Sequence, residues 1–300
     1  MKNIKSILTL TILLTSFMLF GQQDPQYSQY TYNMNVINPA YAGSKGVLSL
    51  GVLGRSQWVG IEGAPKTLTL SVHSPVGKSV GLGLSLIADR IGPVRETNLY
   101  TDISYTLITS EEGRLAFGIK AGFTSLQVSV LQSNVSDPLN VPINKTSPNI
   151  GAGMYYYTNK FYAGFSIPSF LETRYLEKSG GIVSTASEKM HYFFTSGYVF
   201  DIYDNLKLKP STMIRAVKGA PISVDLSGNF LWEEKFELGI SYRFDKSFSG
   251  MVGFLINDDM RIGYCYDMNV SNLGSFNSGS HELMLLINFN KRNLKSPRFF

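Results

Sequence analysis

From Leu48 to Phe289 hydrophobic and polar positions alternate with a period of two, stretch after stretch. In Arg114–Phe123 (RLAFGIKAGF), Leu115, Phe117, Ile119, Ala121 and Phe123 share one face. Ala116, Gly118, Lys120 and Gly122 share the other. Successive strand side chains point to opposite faces, so the segment reads as a β-strand with one continuous apolar face. The same criterion predicts strands at Leu48–Val52, Leu68–Val72, Val80–Leu86, Leu99–Leu107, Ile150–Tyr156, Phe161–Ile167 and Tyr192–Phe200. It continues through Leu206–Ile214, Ile222–Phe230, Phe236–Tyr242, Val252–Ile256, Ile262–Tyr266 and Leu283–Phe289, about fourteen strands in all.

Two architectures bury such a face. A soluble sandwich packs it on a second sheet, whereas a membrane barrel turns it to lipid and turns the small and polar face to a wet interior. The connections separate the two. The even-numbered ones (74–79, 109–113, 158–160, 202–205, 233–235 and 257–259) read as tight turns. The odd-numbered ones (58–66, 88–96, 129–148, 170–188, 217–221, 244–248 and 268–278) are as long or longer. Antiparallel barrel neighbours put alternate connections on opposite rims, with short periplasmic turns and long external loops. The chain therefore reads as all-β, a transmembrane antiparallel barrel of about fourteen strands. Charges respect the same register. Arg55, Asp102, Lys120, Lys207, Lys209, Arg215, Asp225, Glu237, Arg243, Arg261 and Asp267 all fall opposite the apolar set, as lumen charges. A Lys or Arg facing lipid at the midplane costs ~2–4 kcal/mol, which explains the bias.

The segments outside the wall are distinct. Residues 1–21 have the form of a secretory signal: Lys2 and Lys5 precede the apolar run Ile7–Phe20, with cleavage expected near Gly21. Residues 22–45 form a polar arm rich in tyrosine (Tyr27, Tyr30, Tyr32 and Tyr41), with Asn38-Pro39 as a turn signal. It has too few aliphatics for a core of its own, so it is expected to pack in or under the barrel as a periplasmic arm or plug. The barrel occupies 46–290, and 291–300 is a basic tail expected in the periplasm.

Composition adds little to this picture and chemistry removes alternatives. Charged residues make up 16% of the chain, against roughly 25% in ordinary soluble domains. The formal charge of +5 drops to +3 without Lys2 and Lys5, too weak a bias for nucleic acid. Cys265 is the only cysteine, so no intramolecular disulfide can form. The three histidines, His73, His191 and His281, have no partner at metal-ligand spacing. A barrel hydrolase would draw on Asp89 and Asp102, but no nucleophile–base–orienter set appears. We expect no enzyme, no cofactor and no metal.

Several segments together resemble the PorP/SprF family of Bacteroidota outer-membrane proteins. They are the arm DPQYSQYTYNMNVINPAYAGS (Asp24–Ser44), the first external loop SQWVGIEGAPKT (Ser56–Thr67), SPNIGAGMYYY (Ser147–Tyr157), GSHELMLLINF (Gly279–Phe289) and the closing SPRFF. The resemblance implies a multi-pass outer-membrane barrel serving type IX secretion and, in gliding bacteria, the adhesin machinery. Its implied partners are a secreted adhesin or other cargo held through a type IX C-terminal sorting domain, and periplasmic ring components of the apparatus. Outer-membrane lipid surrounds the wall.

Fourteen strands enclose a gap that needs a plug, ligand or water, because eight are just filled by side chains and ~16–18 leave a channel. Tyr27, Tyr30, Tyr32, Asn38, Pro39 and Tyr41 are the candidate plug residues, expected at the periplasmic mouth. Trp58, Gly60 and Glu62 are the candidate partner residues on the first external loop. Trp58 is an interfacial anchor or a cargo contact. A passive porin is the alternative function, and a barrel hydrolase a more distant one.

Overall fold

The computed structural model describes residues 27–129, 142–171, 174–179, 182–187, 190–244, 246–270, 274 and 276–289. The expected signal segment and basic tail lie outside the described residues.

The alternating segments form β1 (Leu48–Ser56), β2 (Lys66–Pro75), β3 (Val80–Ile91), β4 (Val94–Ile108), β5 (Arg114–Val128), β6 (Ile143–Tyr157) and β7 (Phe161–Ile167). A two-stranded hairpin, β8 (Arg174–Ser179) and β9 (Ile182–Ser187), stands apart from the main sheet. The wall resumes with β10 (His191–Tyr198) and β11 (Phe200–Tyr203), two parts of one strand broken at Val199, both paired with β12 (Leu206–Val217). It continues through β13 (Ser223–Trp232), β14 (Phe236–Arg243), β15 (Ser247–Leu255), β16 (Met260–Asn269) and β17 (Ser280–Phe289). Neighbours in sequence pair antiparallel, and β17 pairs with β1 from Leu48↔Phe289 to Ser56↔His281. The result is a closed fourteen-strand antiparallel barrel, as the alternation predicts.

Closure leaves the main wall without an edge, the arrangement a strand needs where no water can satisfy its backbone. The apolar set covers the outside: Leu68 is 57% exposed, Ile119 57% and Leu238 61%. In a membrane those side chains are solvated by acyl chains. At the turn rim Trp232, Phe236 and Phe254 lie ring to ring, 5.9 and 5.6 Å between centroids, as an aromatic girdle.

Four of the expected loops are different in the structure. Segment 88–96 is not a loop. Pairing runs on through Asp89↔Glu96, Arg90↔Arg95 and Ile91↔Val94, leaving Gly92-Pro93 as a two-residue connection. The β14–β15 connection is also short, closed by Lys246 N donating to Arg243 O at 3.1 Å. Nothing forces backbone pairing to stop at the lipid boundary, so β3–β6 rise above the apolar band as a taller wall. The hairpin β8–β9 occupies most of the 170–188 connection, which reads as a loop in the sequence. Of 129–148, residues from Ile143 onward belong to β6, and 130–141 lie outside the described residues.

Candidate functional site

The arm lies inside the barrel rather than only at its mouth. Every described residue from Tyr27 to Ala42 is buried, as are Ser44 and Lys45. The path starts near the long-loop rim, where Tyr27 Oη meets Thr69 Oγ1 at 3.0 Å. It passes a helical turn at Tyr30–Tyr32, a single turn of helix α1 (Met34–Ile37) and a second tight turn at Pro39–Tyr41. It ends at the turn rim, where Lys45 Nζ donates to Ser49 and Asn288, both at 3.2 Å. Asn38 caps the last turn by accepting from Ala40 N at 3.0 Å, and Pro39 supplies the fixed φ that opens it.

The wall is shaped for this chain. A methyl built on Gly81 would stand 2.1 Å from Ala42 O, on Gly118 2.3 Å from Ala40 N, and on Gly153 2.2 Å from Asn38 Oδ1. These glycines sit on the inward parity of three strands; the arm's backbone lies where the side chains of Gly81 and Gly118 are missing, and the Asn38 amide where that of Gly153 is. Around them Tyr41 packs edge-on against Tyr155 and His73, each at 5.3 Å between centroids. Ser104 Oγ donates to Ala42 O at 2.6 Å and Ser166 Oγ to Ile37 O at 2.9 Å, so the arm's carbonyls are satisfied by the wall.

The expected lumen charges are brought together in pairs. Lys120 lies 3.1 Å from Asp102, Arg261 2.8 Å from Glu237, and Arg243 grips Asp225 with two bonds of 2.7 Å. Arg55 reaches Asp267 at 2.5 Å and Glu282 at 3.0 Å. Arg215 also lines a cavity, described below. The arm completes several of these pairs. Glu282 accepts from Ser28 N at 3.1 Å and Gln29 N at 2.8 Å, while Ser28 Oγ donates to Asp267 at 2.7 Å. Asn35 donates to Asp102 at 3.1 Å, and Tyr32 Oη donates to Glu237. Buried ion pairs need such further hydrogen bonds to offset desolvation. On the arm itself, burial and the Arg261 charge draw Lys45 down to about 7, and burial holds the Tyr30 phenol above its ordinary range.

Above the arm, on the long-loop side, is a cavity of about 90 Å³ lined by Tyr27, Val36, Ile37, Tyr100, Phe193 and Arg215, among others. The Trp58 loop lies at the rim. Trp58 adopts a positive φ of 47°, and its N donates to Ser280 Oγ at 3.2 Å. With the Asn269 amide turned to accept, Trp58 Nε1 reaches it at 3.0 Å. Val59 N and Ser278 N exchange hydrogen bonds with Gly279 O and Val59 O at 2.9 and 2.8 Å. Trp58 therefore joins two external connections, while Gly60 and Glu62 stay exposed beside it.

Sequence reasoning missed Glu282, Ser28, Asn35, Lys45 and the inward glycines. A glycine repeated on one parity of a strand does mark a close backbone approach, and that signal was present at Gly81, Gly118 and Gly153. The histidines stand apart, His73 in the lumen near the turn rim and His281 at the other end of the wall, bonded to Tyr264. Among the described residues no group of three His, Cys, Asp or Glu is arranged to hold a metal ion.

A plugged, closed barrel with this arm and this rim loop matches one family along nearly its whole length: the type IX secretion system membrane proteins PorP/SprF, whose model aligns with residues 19–287. The chain belongs to the PorP/SprF family. No curated protein shows significant sequence similarity to it. Among solved structures, this PorP/SprF barrel is similar to the toluene transporter TbuX of Ralstonia pickettii, at 11% identity and TM-score 0.51, over 84% of this chain and 91% of that one. A FadL homologue of Pseudomonas aeruginosa matches at 11% identity and TM-score 0.46, over 81% and 89%. Omp33 of Acinetobacter baumannii matches at 11% and 0.46, over 82% and 100%. The likeness to TbuX is one of fold, that of an outer-membrane barrel.

Proposed function

We propose that this PorP/SprF barrel retains a secreted surface protein at the outer membrane, engaging the cargo's type IX C-terminal sorting domain at the long-loop rim. It is a docking platform, not an enzyme and not a conduit. The observation that carries this reading is the arm, buried from Tyr27 to Ala42 in the space a solute would otherwise cross. A wall whose lumen is occupied by its own chain suits holding better than passage. The Trp58 loop supports the same reading. Its hydrogen bonds fix two external connections as one surface, and exposed Val59, Gly60 and Glu62 lie on it. At the opposite rim the short turns between strands would face the periplasmic ring of the apparatus.

The test is capture of a purified sorting domain by the barrel in native membranes, with and without Trp58→Ala. Wild type is expected to retain the domain, and the variant to lose it while its heat-modifiable gel mobility stays that of a folded barrel. Equal retention by both would remove Trp58 from the contact, and no retention by wild type would overturn the reading.

One observation favours a second reading, passage of a small apolar solute. The cavity above the arm is walled by Val36, Ile37, Ile87 and Phe193, and the similar fold of TbuX belongs to a toluene transporter. Liposome uptake of a monoaromatic compound by the arm-intact protein, faster than by empty liposomes, would favour it.

A further inference from the structure

The register that keeps charge off the outer face has one exception, and its members are neighbours. In the fourteen wall strands, every Asp and Glu takes the inward parity, and so does every Lys and Arg except three. Those three are Lys66, Arg90 and Arg95. Lys66 shares its face with Leu68 and Leu70, Arg90 with Leu84 and Leu86, and Arg95 with Leu99 and Ile103. All three are exposed.

They also stand side by side. Lys66 pairs directly with Arg90, and Arg90 directly with Arg95, so three cations form one row across β2, β3 and β4. With strands about 4.8 Å apart the row is roughly 10 Å long. Like charges directly opposite on one face repel, and no acidic side chain among the described residues lies within ion-pair distance of any of the three. Glu62, on the Trp58 loop, lines a cavity together with Lys66 and Arg90. Asp89 and Glu96 are adjacent in sequence but take the inward parity, and Asp89 there bonds to Thr67. Flanking the row on the same face are neutral groups, Ser56 before Lys66 and Gln127 after Arg95.

Height completes the argument. Two residues below the row on each strand are Leu68, Ala88 and Thr97, and below those the continuous apolar line Leu70, Leu86 and Leu99. The cations thus crown the lipid-facing band on the long-loop side, at the depth of headgroups rather than acyl chains. Had solubility been the only need, the inward parity or the loops would have served, as they do everywhere else in the wall.

We propose that Lys66, Arg90 and Arg95 form a binding site for the phosphorylated headgroup of an outer-leaflet glycolipid, which neutralises the row while its acyl chains lie on Leu70, Leu86 and Leu99. Two guanidinium groups and an ammonium in line suit phosphate oxygens, arginine by paired hydrogen bonds and lysine as a point charge. The site is independent of cargo retention.

The experiment is native mass spectrometry of the detergent-solubilised full chain titrated with phosphorylated lipid A. It is repeated with lipid A stripped of phosphate, with phosphatidylglycerol and with inorganic phosphate. Wild type is expected to hold one phosphorylated lipid A. The variant Lys66→Gln/Arg90→Gln/Arg95→Gln should bind about a hundred-fold more weakly, each cation near an anionic surface contributing roughly a factor of five. The charge-conserving variant Lys66→Arg/Arg90→Lys/Arg95→Lys should keep binding within about ten-fold, which separates loss of charge from loss of fold. Equal affinity for dephosphorylated lipid A or phosphatidylglycerol would overturn the proposal. So would displacement by inorganic phosphate at the lipid's own concentration, or a glutamine variant that binds like wild type. Loss of binding in the charge-conserving variant, with the barrel still folded, would also count against it. If the glutamine variant keeps lipid A but loses a co-purifying acidic protein, the row is a protein contact and the lipid site is wrong.

Discussion

The two halves of the luminal arm are held by different physics. From Tyr27 to Asn33 the contacts are polar and charged: Ser28 and Gln29 on Glu282, Ser28 on Asp267, Tyr32 on Glu237. From Met34 to Lys45 polar contacts persist, Asn35 on Asp102 among them, but shape adds to them. The backbone is laid over Gly81 and Gly118, the Asn38 side chain fills the space at Gly153, and Tyr41 packs against Tyr155 and His73. Charge-assisted hydrogen bonds are strong but conditional, because water or a competing ion can replace them. Steric fit has no substitute. The lower half is therefore the fixed part of the plug, and the upper half, next to the cavity and the long-loop rim, is the part an external partner is able to exchange for its own groups.

The largest effect should come from attacking shape. Gly81→Val with Gly118→Val places side chains against arm backbone at two separate points. Overpacking costs about 1–3 kcal/mol at each, so the docked arm should lose about 4 kcal/mol or roughly a thousand-fold in population. Limited proteolysis at the arm and ion conductance across a planar bilayer should both rise, while barrel mobility on gels is unchanged. An arm still protected would mean that the glycines do not set its position.

Glu282→Ala comes next. It removes the acceptor of two arm N–H groups and one of the two carboxylates on Arg55. Asp267 still neutralises Arg55, so the cost should be about 3 kcal/mol, near the lower end for breaking a buried pair. Hydrogen exchange should quicken at Ser28 and Gln29 and stay slow at Ile37–Ala42. Uniform quickening along the arm would erase the distinction between its halves.

Taken per pH unit, the smallest effect is that of pH, and it acts on the lower end. The docked Lys45 sits near 7, below the ordinary lysine value of about 10.4, so docking favours the neutral amine. The penalty is absent above that ordinary value, grows as pH falls toward 7 and is constant below it. Arm protection should therefore strengthen from pH 7 to 10, by at most about ten-fold per pH unit. Lys45→Met should flatten the profile. A profile unchanged by that substitution would show another group to be responsible.

The wall was legible in the sequence because both of its environments leave the same mark. Lipid selects Leu, Ile and Phe on one parity, and the filled lumen selects Gly, Ser and paired charges on the other. Segment 88–96 was misread for the complementary reason. Above the membrane the outward positions hold Arg90, Arg95 and Thr97, so the apolar signal fades while the pairing continues. The tyrosine arm was legible as a plug, but its course was not, since Asn38 against Gly153 and Ser28 against Glu282 are contacts that no local pattern encodes. The lumen charges were legible as a set. Which acid meets which base depends on register between strands, and that is written in backbone pairing rather than in composition.

Ser28 and Glu282 are separated by 254 positions, almost the whole chain. Glu282 belongs to the final strand, the one that seals the cylinder against β1. During assembly the arm is made first, yet the carboxylate that takes its Ser28 and Gln29 N–H groups arrives only with the last strand. A seated upper arm is thus a built-in signal that the cylinder is complete, and a barrel stalled one strand short would carry its first residues loose.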